Sequence, residues 1–311
     1  MSLEDLGLID YEIKDKALLI DGDLIIFQNC CIFNDDDDQN RSMITKHVNS
    51  KITALMEAAG CNMYIMFVTT NYNFRDHIVN DYKGNRVDKP RPVNLAWVKQ
   101  WAVANLNTHF VKWMEADDLL GTHQTPDTVI WSQDKDLRQI EGKHLDDATM
   151  KLVDITSNGS LRKTIVYKPC GKLIKETKYH FTGNIGLYFQ LLTGDTTDWI
   201  VGCGKRVTKV YKSGAKKGQE YLYREGVGPG AAYDILVKAG SVQMGLKRVA
   251  DEYFHLHGDN WMKELETQAN LLFMVREHKG DIIKQWTYDG RDKFMNITTG
   301  EIVSGFDKEG T

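Results

Sequence analysis

The sequence has no long apolar run and few cysteines. No hydrophobic stretch approaches the roughly 18 residues that a membrane span needs, and the first residues, MSLEDLGLIDYE, are acidic rather than typical of a signal peptide. The five cysteines form no CxxC pair, which argues against a disulfide scaffold and a structural zinc site. The nine histidines form no HExxH or HxH pair. These absences predict a cytoplasmic protein with reduced thiols and no membrane partner.

The charges are segregated along the chain. The 311 residues are 42% hydrophobic and 26% charged, as in a globular protein, and a net charge of −4 argues weakly against nucleic acid. However, no acid occurs between Trp199 and Gln219, where six bases lie. Further basic clusters cover 83–91 and 162–178. A protein with segregated signs can bind a polyanion although its net charge is negative.

Hydrophobic patterns predict alternating strands and helices. Strands are predicted for Lys16–Asp21, NMYIMFVTT, THFVKW and TVIWS. Helices are predicted for LIIFQNCCIF, Arg41–Ala59, Asn94–Asn107, HFTGNIGLYFQLLTGDTTDW, Val242–Leu256 and Trp261–Phe273. The acidic run NDDDDQN is predicted to be a loop, and DYKGNRVDKPRP a loop or irregular lid. This alternation is typical of an α/β protein with a mostly parallel sheet.

Carboxylates follow three of the predicted strands directly. These residues are Asp21, then Glu115, Asp117 and Asp118, then Asp134 and Asp136. Because the carboxyl ends of parallel strands meet at one edge of a sheet, we expect these acids to lie close together. Like charges held together raise one another's pKa unless a cation neutralises them.

Clustered carboxylates without histidine or cysteine are the ligands that Mg²⁺ and Mn²⁺ prefer. Two such ions can activate water and stabilise the leaving oxygen of a phosphodiester, and Asp195 and Asp198 in GDTTD supply further ligands. Each motif alone also suits a helix cap or a surface turn. For Asp23 two roles stay open, metal ligand or helix cap. Asp127 is assigned to a turn.

A glycine-rich stretch, GVGPGAAYDIL, favours phosphate contact. Gly226, Gly228 and Gly230 allow backbone N–H groups to approach a phosphate at a helix N-terminus. An ordinary glycine turn is the alternative. The preceding GCGKR stretch and the bases Lys205, Arg206 and Lys209 make phosphate contact the better interpretation.

The motifs LIDGD, YKGNR, EADDLLG, SQDKDL, LLTGDTTDWI and GVGPGAA together resemble the flap endonuclease or 5′-nuclease family. The similarity is greatest to the stand-alone 5′→3′ exonucleases of short-tailed bacteriophages and runs from about Leu18 to Leu236. It implies a central, mostly parallel sheet flanked by helices in a nuclease core at 1–180, with a helical arch at about 76–95. A helical DNA-binding region with a helix-hairpin-helix would occupy 181–311.

The resemblance also implies roles for matching residues. The metal ligands would be Asp21, Glu115, Asp117, Asp118, Asp134, Asp136, Asp195 and Asp198, holding two Mg²⁺ or Mn²⁺ ions. Lys83 and Arg86 would act on the scissile phosphate, and Tyr82 would stack on a terminal base. Lys89, Arg91 and the glycine turn, with a K⁺ ion, would contact DNA.

Two departures from the family pattern stand out. The acid that usually follows the second strand is replaced by Thr70 or Asn71, so either one ligand is missing or Asp76 substitutes for it. The helix-hairpin-helix is split by basic sequence between GCGKR and GVGPG, which leaves open which turn contacts DNA.

The predicted activity is metal-dependent 5′→3′ exonucleolytic cleavage of duplex DNA by a monomer. Cleavage of flaps or of RNA strands would accompany it, in phage DNA replication, recombination or host DNA degradation. Two alternatives remain at this point. A haloacid dehalogenase-type phosphatase would use LIDGD and GDTTD but leaves EADD, QDKD and the bases unexplained. A non-catalytic DNA-binding protein explains the bases but not the acids.

Overall fold

A six-stranded sheet forms the centre of the computed structural model, which describes residues 16–86, 89–170 and 172–306. Its strands are β1 (Ala17–Asp21), β2 (Met63–Phe67), β3 (Thr108–His109), β4 (Thr128–Trp131), β5 (Gly142–Asp146) and β6 (Lys151–Ile155). The order is β3-β2-β1-β4-β5-β6, and only β6 is antiparallel to its neighbour. The central strand β1 is buried throughout, as a strand covered on both faces must be. The predicted α/β fold with a mostly parallel sheet is confirmed.

Helices cover both faces of this sheet. The first four are α1 (Gly22–Ile32), α2 (Asp38–Ala59), α3 (Leu95–Asn105) and α4 (Ala116–Thr122). α1 to α3 bury apolar side chains against Leu18 and Ile20 of β1, whereas α4 packs against Leu19 on the other face. The acidic run is only partly a loop, because Asp37 caps α2 by accepting the amide of Asn40 at 2.6 Å. Acids at a helix N-terminus are stabilised by the helix dipole.

Two β-hairpins and four helices follow the sheet. They are β7 (Leu161–Cys170) with β8 (Lys172–Phe181), α5 (Gly183–Thr193), β9 (Gly204–Val210) with β10 (Glu220–Gly226), α6 (Pro229–Val237), α7 (Val242–His257) and α8 (Trp261–Leu272). The helices enclose a second apolar cluster that includes Leu191, Val249, Tyr253 and Leu265. The helices predicted here are confirmed, except that α5 ends at Thr193, before the two acids that the prediction placed at its end. Neither hairpin was predicted.

The C-terminal chain returns to the sheet. The short strands β11 (His278–Lys279), β12 (Ile282–Lys284), β13 (Phe294–Asn296) and β14 (Ile302–Val303) form an antiparallel sheet. Ile283, Met295 and Ile297 pack into the same cluster as Leu19 and Phe67 of the central sheet. The region 181–311, expected to be helical, therefore also contains strands that complete the core of the first region.

The segment expected to form a helical arch has no α-helix in its described residues. Two 3-10 turns, Phe74–His77 and Gly84–Arg86, occur before α3 begins at Leu95. Lys83 has a positive φ of 54°, a sharp reversal that an α-helix could not contain. The described part of the segment is therefore an irregular lid. Among the described residues, no helix has both the length and the apolar character to cross a bilayer.

Candidate active site

Asp21 lies at the carboxyl end of β1 and is held by both neighbouring elements. One carboxylate oxygen accepts the amide of Leu24 at 3.1 Å and so caps α1, while the other accepts the Ser132 hydroxyl at 2.7 Å. Burial and the nearby Asp23 raise the pKa of Asp21 to about 7. The side chain is therefore fixed in position but poorly neutralised.

Asp117 and Asp134 join Asp21 at this edge of the sheet. Asp117 is in the first turn of α4, and Asp134 caps the 3-10 turn after β4 by accepting the amide of Asp136 at 2.8 Å. The pKa of Asp117 lies well above its usual range because of burial and the charges of Asp21 and Asp134. Together these three acids form one group of repelling carboxylates.

A second group lies beside the first. Asp195 comes directly after Gly194, the residue that ends α5, and its carboxylate accepts a hydrogen bond from the Thr197 amide at 2.6 Å. Lys135 Nζ bridges Asp136, at 3.3 Å, and Asp195, at 3.4 Å. Burial and Asp134 nevertheless raise the pKa of Asp136 to about 7. Glu115 and Asp198 line the same small cavity as Asp117 of the first group and Asp136 and Asp195 of the second.

Asp118 does not join the cluster. It is fully buried and forms a bidentate pair with Arg75, with distances of 2.6 and 2.8 Å from the guanidinium nitrogens. It also accepts the amide of Val275 at 3.1 Å. The structure therefore brings together seven of the eight predicted ligands and uses Asp118 to join α4 to Arg75 and the C-terminal chain.

Cations of the protein compensate the acids in this structure. Lys83 contacts Glu115 and lies 3.5 Å from Asp198, and Arg86 pairs with Asp198. Burial disfavours ionisation of Glu115, yet Lys83 and Arg75 hold its pKa at about 2. In the described residues, no three carboxylate, histidine or cysteine side chains are positioned to hold one metal ion as they stand. Asp21, Asp117 and Asp136 stay poorly compensated, so the donor set suits a hard divalent cation.

The lid residues are held down on the loop after α5. Asn85 donates to the carbonyl of Thr196 at 3.0 Å, and the Lys83 amide donates to that of Asp198 at 3.2 Å. Tyr82 was predicted to stack on a base. Its hydroxyl instead donates a hydrogen bond to Glu115 at 2.9 Å, and its ring packs against the second apolar cluster. Lys89 and Arg91 are exposed in the part of the lid that precedes α3, as a role in DNA contact requires.

Sequence patterns missed Arg75 and left the roles of Asp23 and Asp76 open. Arg75 is buried in the 3-10 turn after β2, and its only sequence signal is a basic residue inside NFRDH. Asp23 pairs with Lys99 at 2.6 Å and accepts the Thr69 amide at 3.0 Å, so it is neither a cap nor part of the acid groups. Asp76 lies close enough to Glu115 for its pKa to be raised, after burial, by that charge.

The two halves of the glycine-rich turn meet in space. Gly204 and Gly226 are paired at the base of the β9–β10 hairpin, and the Val227 amide donates to the carbonyl of Cys203 at 3.1 Å. Gly228 is the N-cap of α6, and Gly230 is exposed in its first turn. The hairpin is thus an insertion within a turn that joins α5 to α6.

The three predicted basic contacts near this turn differ in their surroundings. Lys205 is exposed, whereas Lys209 pairs with Glu225 at 2.9 Å. Arg206 pairs with Asp81 and stacks on Trp199, with 4.2 Å between the guanidinium carbon and the ring centroid. Arg206 therefore holds the hairpin on the lid rather than facing solvent.

A comparison with known protein families finds a match to the N-terminal half of the chain. Residues 16–168 match the family described as 5′-3′ exonuclease, N-terminal resolvase-like domain. A search of curated proteins found no match. Among solved structures, the chain resembles the T5 5′-exonuclease with bound zinc, at 17% identity and a TM-score of 0.48 over 83% of this chain and 86% of that one.

Two further solved structures match this chain at low sequence identity. The bacteriophage T5 flap endonuclease, in a complex with DNA and metal ions, is 12% identical over 82% of this chain and 98% of that one, with a TM-score of 0.44. The catalytic core of Rad2 with a DNA substrate is 14% identical over 88% and 73%, with a TM-score of 0.36. Residues 16–168, which hold six of the eight predicted ligands, therefore form an N-terminal resolvase-like domain of the 5′-3′ exonuclease family.

Proposed function

We propose that this protein is a divalent-metal-dependent 5′→3′ exonuclease that hydrolyses duplex DNA from a 5′ end. The observation that supports it most directly is the convergence of carboxylates from β1, β4, α4 and α5 whose own cations leave them incompletely neutralised. A protein that only binds DNA has no use for such a cluster, because it repels phosphate. A dehalogenase-type phosphatase would need Asp23 as its acid and base, but Asp23 is engaged by Lys99.

Two groups of acids would hold two Mg²⁺ or Mn²⁺ ions. Asp21, Glu115, Asp117 and Asp134 would hold the first, and Asp136, Asp195 and Asp198 the second. When bound, such ions supply positive charge that stabilises the reacting phosphate and favours deprotonation of the attacking water. Asp21 and Asp134 are fixed by hydrogen bonds to neighbouring groups, so these two ligands are preorganised.

Lys83 and Arg86 would exchange their carboxylate partners for the scissile phosphate. Both lie on the lid beside the cluster, and the pKa of Lys83 is raised by Glu115 and Asp198 against the effect of burial, so its ammonium stays charged. The amides at the start of α6, with Lys89, Arg91 and Lys205, would contact the phosphates of the downstream duplex without sequence preference.

A 5′ flap and the RNA strand of a hybrid present the same phosphodiester chemistry, and we include both as further substrates. In this proposal the enzyme acts as a monomer in phage DNA replication, recombination or host DNA degradation.

The proposed direction of cleavage is tested with linear duplex DNA labelled at either end. We expect early release of the 5′ label as short products with Mg²⁺, none with EDTA, and none from Asp134→Asn. Asp127→Asn, the same change at an exposed turn acid, should cleave as wild type does. Intact DNA in every lane, or release of the 3′ label first, would contradict the proposal.

Lys83→Ala separates catalysis from binding. Because Lys83 is positioned at the reacting phosphate, we expect cleavage to slow by roughly 10²–10³-fold, measured as single-turnover rate. The Kd for duplex DNA, measured in Ca²⁺ or EDTA, should change only a few-fold. Lys89→Ala, on the same segment, should weaken binding without this rate loss. Equal losses of rate and affinity in Lys83→Ala would assign Lys83 to binding alone.

A further inference from the structure

The β9–β10 hairpin has one face that is held by the rest of the protein. Arg206 and Arg224 are opposite each other in the ladder and therefore share a face. Arg224 donates to the carbonyls of Val201 at 2.6 Å and Leu192 at 2.7 Å, and Arg206 reaches Trp199 and Asp81. This anchored face fixes the hairpin on the turn between α5 and α6.

The opposite face carries a row of tyrosines. Because side chains alternate along a strand, Tyr221 and Tyr223 lie on the face away from Arg224, with Tyr211 next to Tyr221 at the end of the ladder. The ring centroids of Tyr211 and Tyr221 are 4.3 Å apart, and those of Tyr221 and Tyr223 are 6.5 Å apart. Tyr223 is 45% exposed. We call Tyr211, Tyr221 and Tyr223 the tyrosine face.

Lysine side chains lie over two of these rings. Lys209 Nζ is 3.7 Å from the centroid of Tyr223, and Lys216 Nζ is 5.8 Å from that of Tyr211. Residues 204–226 hold seven lysines and arginines but only two glutamates. One of these, Glu225, is paired with Lys209 at the end nearest the protein. The outer part of the face is therefore both aromatic and positively charged.

A role in stabilising the hairpin does not fully explain the tyrosine face. Cross-strand aromatic contacts do stabilise a two-stranded ribbon, which is marginal by itself. Yet none of the three rings belongs to the apolar clusters of the described residues. Partly exposed rings that are flanked by lysines match the composition of surfaces on which unpaired bases stack.

We propose that the tyrosine face binds an unpaired DNA strand. Bases would stack on Tyr221 and Tyr223, while Lys209 and the lysines of the hairpin turn contact the phosphates. A duplex is a poor ligand for this face because its base faces are already stacked within the helix. The inference rests on the proposed function in that the substrate is DNA. It adds a site for single-stranded DNA whose residues are neither the clustered carboxylates nor the duplex contacts at α6.

Fluorescence anisotropy with a labelled oligo(dT) in EDTA tests the site without any need for nuclease activity. Tyr221→Thr/Tyr223→Thr should raise the Kd for oligo(dT) by about 30-fold or more, which is near the lower end expected for two lost stacking contacts. Threonine keeps a high strand propensity. Tyr221→Phe/Tyr223→Phe, which keeps the rings, should stay within about three-fold of wild type.

The matched control is Leu222→Thr, which makes a similar truncation at an exposed position of the opposite face. It should leave the Kd for oligo(dT) unchanged, and all variants should cleave blunt duplex at the wild-type rate. Wild-type affinity in the threonine double variant, or an equal loss in Leu222→Thr, would overturn the site. Duplex cleavage would continue in that case, so failure of the site is distinct from failure of the nuclease.

Photo-crosslinking gives a second test that does not depend on a folded variant. Wild-type protein is irradiated in EDTA with an oligonucleotide that carries 5-iododeoxyuridine, and the crosslinked peptide is identified by mass spectrometry. We expect Tyr221 or Tyr223 in the crosslinked peptide. Crosslinks confined to other parts of the chain would overturn the site.

Discussion

Asp117→Asn is expected to abolish nuclease activity and, in EDTA, to stabilise the fold. Asp117 is one of three mutually repelling acids with Asp21 and Asp134, and its pKa is raised well above the usual value. We expect cleavage to fall by more than about 100-fold, since even the outer partners of metal ligands contribute 10–100-fold. The same change removes a repelling charge, so Tm in EDTA at pH 8 should rise by about 2–4 °C, which corresponds to roughly 1 kcal/mol.

The stability gain should depend on pH in a defined direction. Asp21 and Asp136 have pKa values raised to about 7 from an ordinary 3.8. The folded state therefore favours their protonated forms, and this contribution to stability is complete below about pH 4 and is lost as pH rises through 7. The pKa of Glu115 is lowered from 4.5 to about 2, so its charged form stabilises the fold at neutral pH. This contribution to stability is lost only as pH falls from 4.5 through about 2.

Thermal unfolding in EDTA between pH 5 and pH 8 measures this effect. Wild type should lose stability across the interval, and Asp117→Asn should lose less because Asp21 then faces one charge fewer. Added Mg²⁺ should raise the Tm of wild type more at pH 8 than at pH 5. Asp127→Asn should follow wild type in both activity and Tm. A lower Tm for Asp117→Asn at pH 8 would mean that the carboxylate is neutralised within the protein itself.

The sheet and most of the acid cluster were predictable because they depend on local sequence. Short apolar runs ending in Asp21 and in Ser132-Gln133-Asp134 mark buried parallel strands, and the geometry of such a sheet brings their carboxyl ends together. Asp118 could have been separated from Asp117 by the same kind of argument. Neighbouring residues on a helix point about 100° apart, so both could not face one site.

Other features depend on contacts that are distant in sequence or on strands too short to show a pattern. The strands β11 to β14 have two or three residues each, fewer than a period-2 signal needs. The lid was expected to be helical by resemblance, but its backbone reverses at Lys83. The β9–β10 hairpin had a usable signal in the tyrosines of EYLYRE, since aromatic residues are enriched in strands, but the prediction from basic charge alone did not use it.

Arg75 links three distant parts of the chain. It is 1% exposed, pairs with Asp118 and lies 3.2 Å from Glu115. Its remaining N–H groups donate to the carbonyls of Leu271 at 3.1 Å and Phe273 at 2.9 Å, where α8 ends. One guanidinium therefore fixes α4 and its acids relative to the C-terminal chain.

Arg75→Met is expected to destabilise the protein by about 3–5 kcal/mol, because removal of one partner leaves a buried carboxylate without compensation. Arg75→Lys should also destabilise, since an ammonium cannot reproduce the planar fork. Adding Asp118→Asn to Arg75→Met should restore part of the loss, as the amide removes the buried charge while its oxygen still accepts the Val275 amide. Denaturant unfolding measures all three free energies.

The control is Lys247→Met, which breaks an exposed pair with Asp251 and should cost less than about 1 kcal/mol. If Arg75→Met costs no more than this control, the buried pair contributes nothing to the fold. If it costs the expected amount but Asp118→Asn restores none of it, the loss arises from the two carbonyls of α8 rather than from the carboxylate. Recovery by Asp118→Asn would instead identify Asp118 as a structural acid, unlike the seven carboxylates that converge beside it.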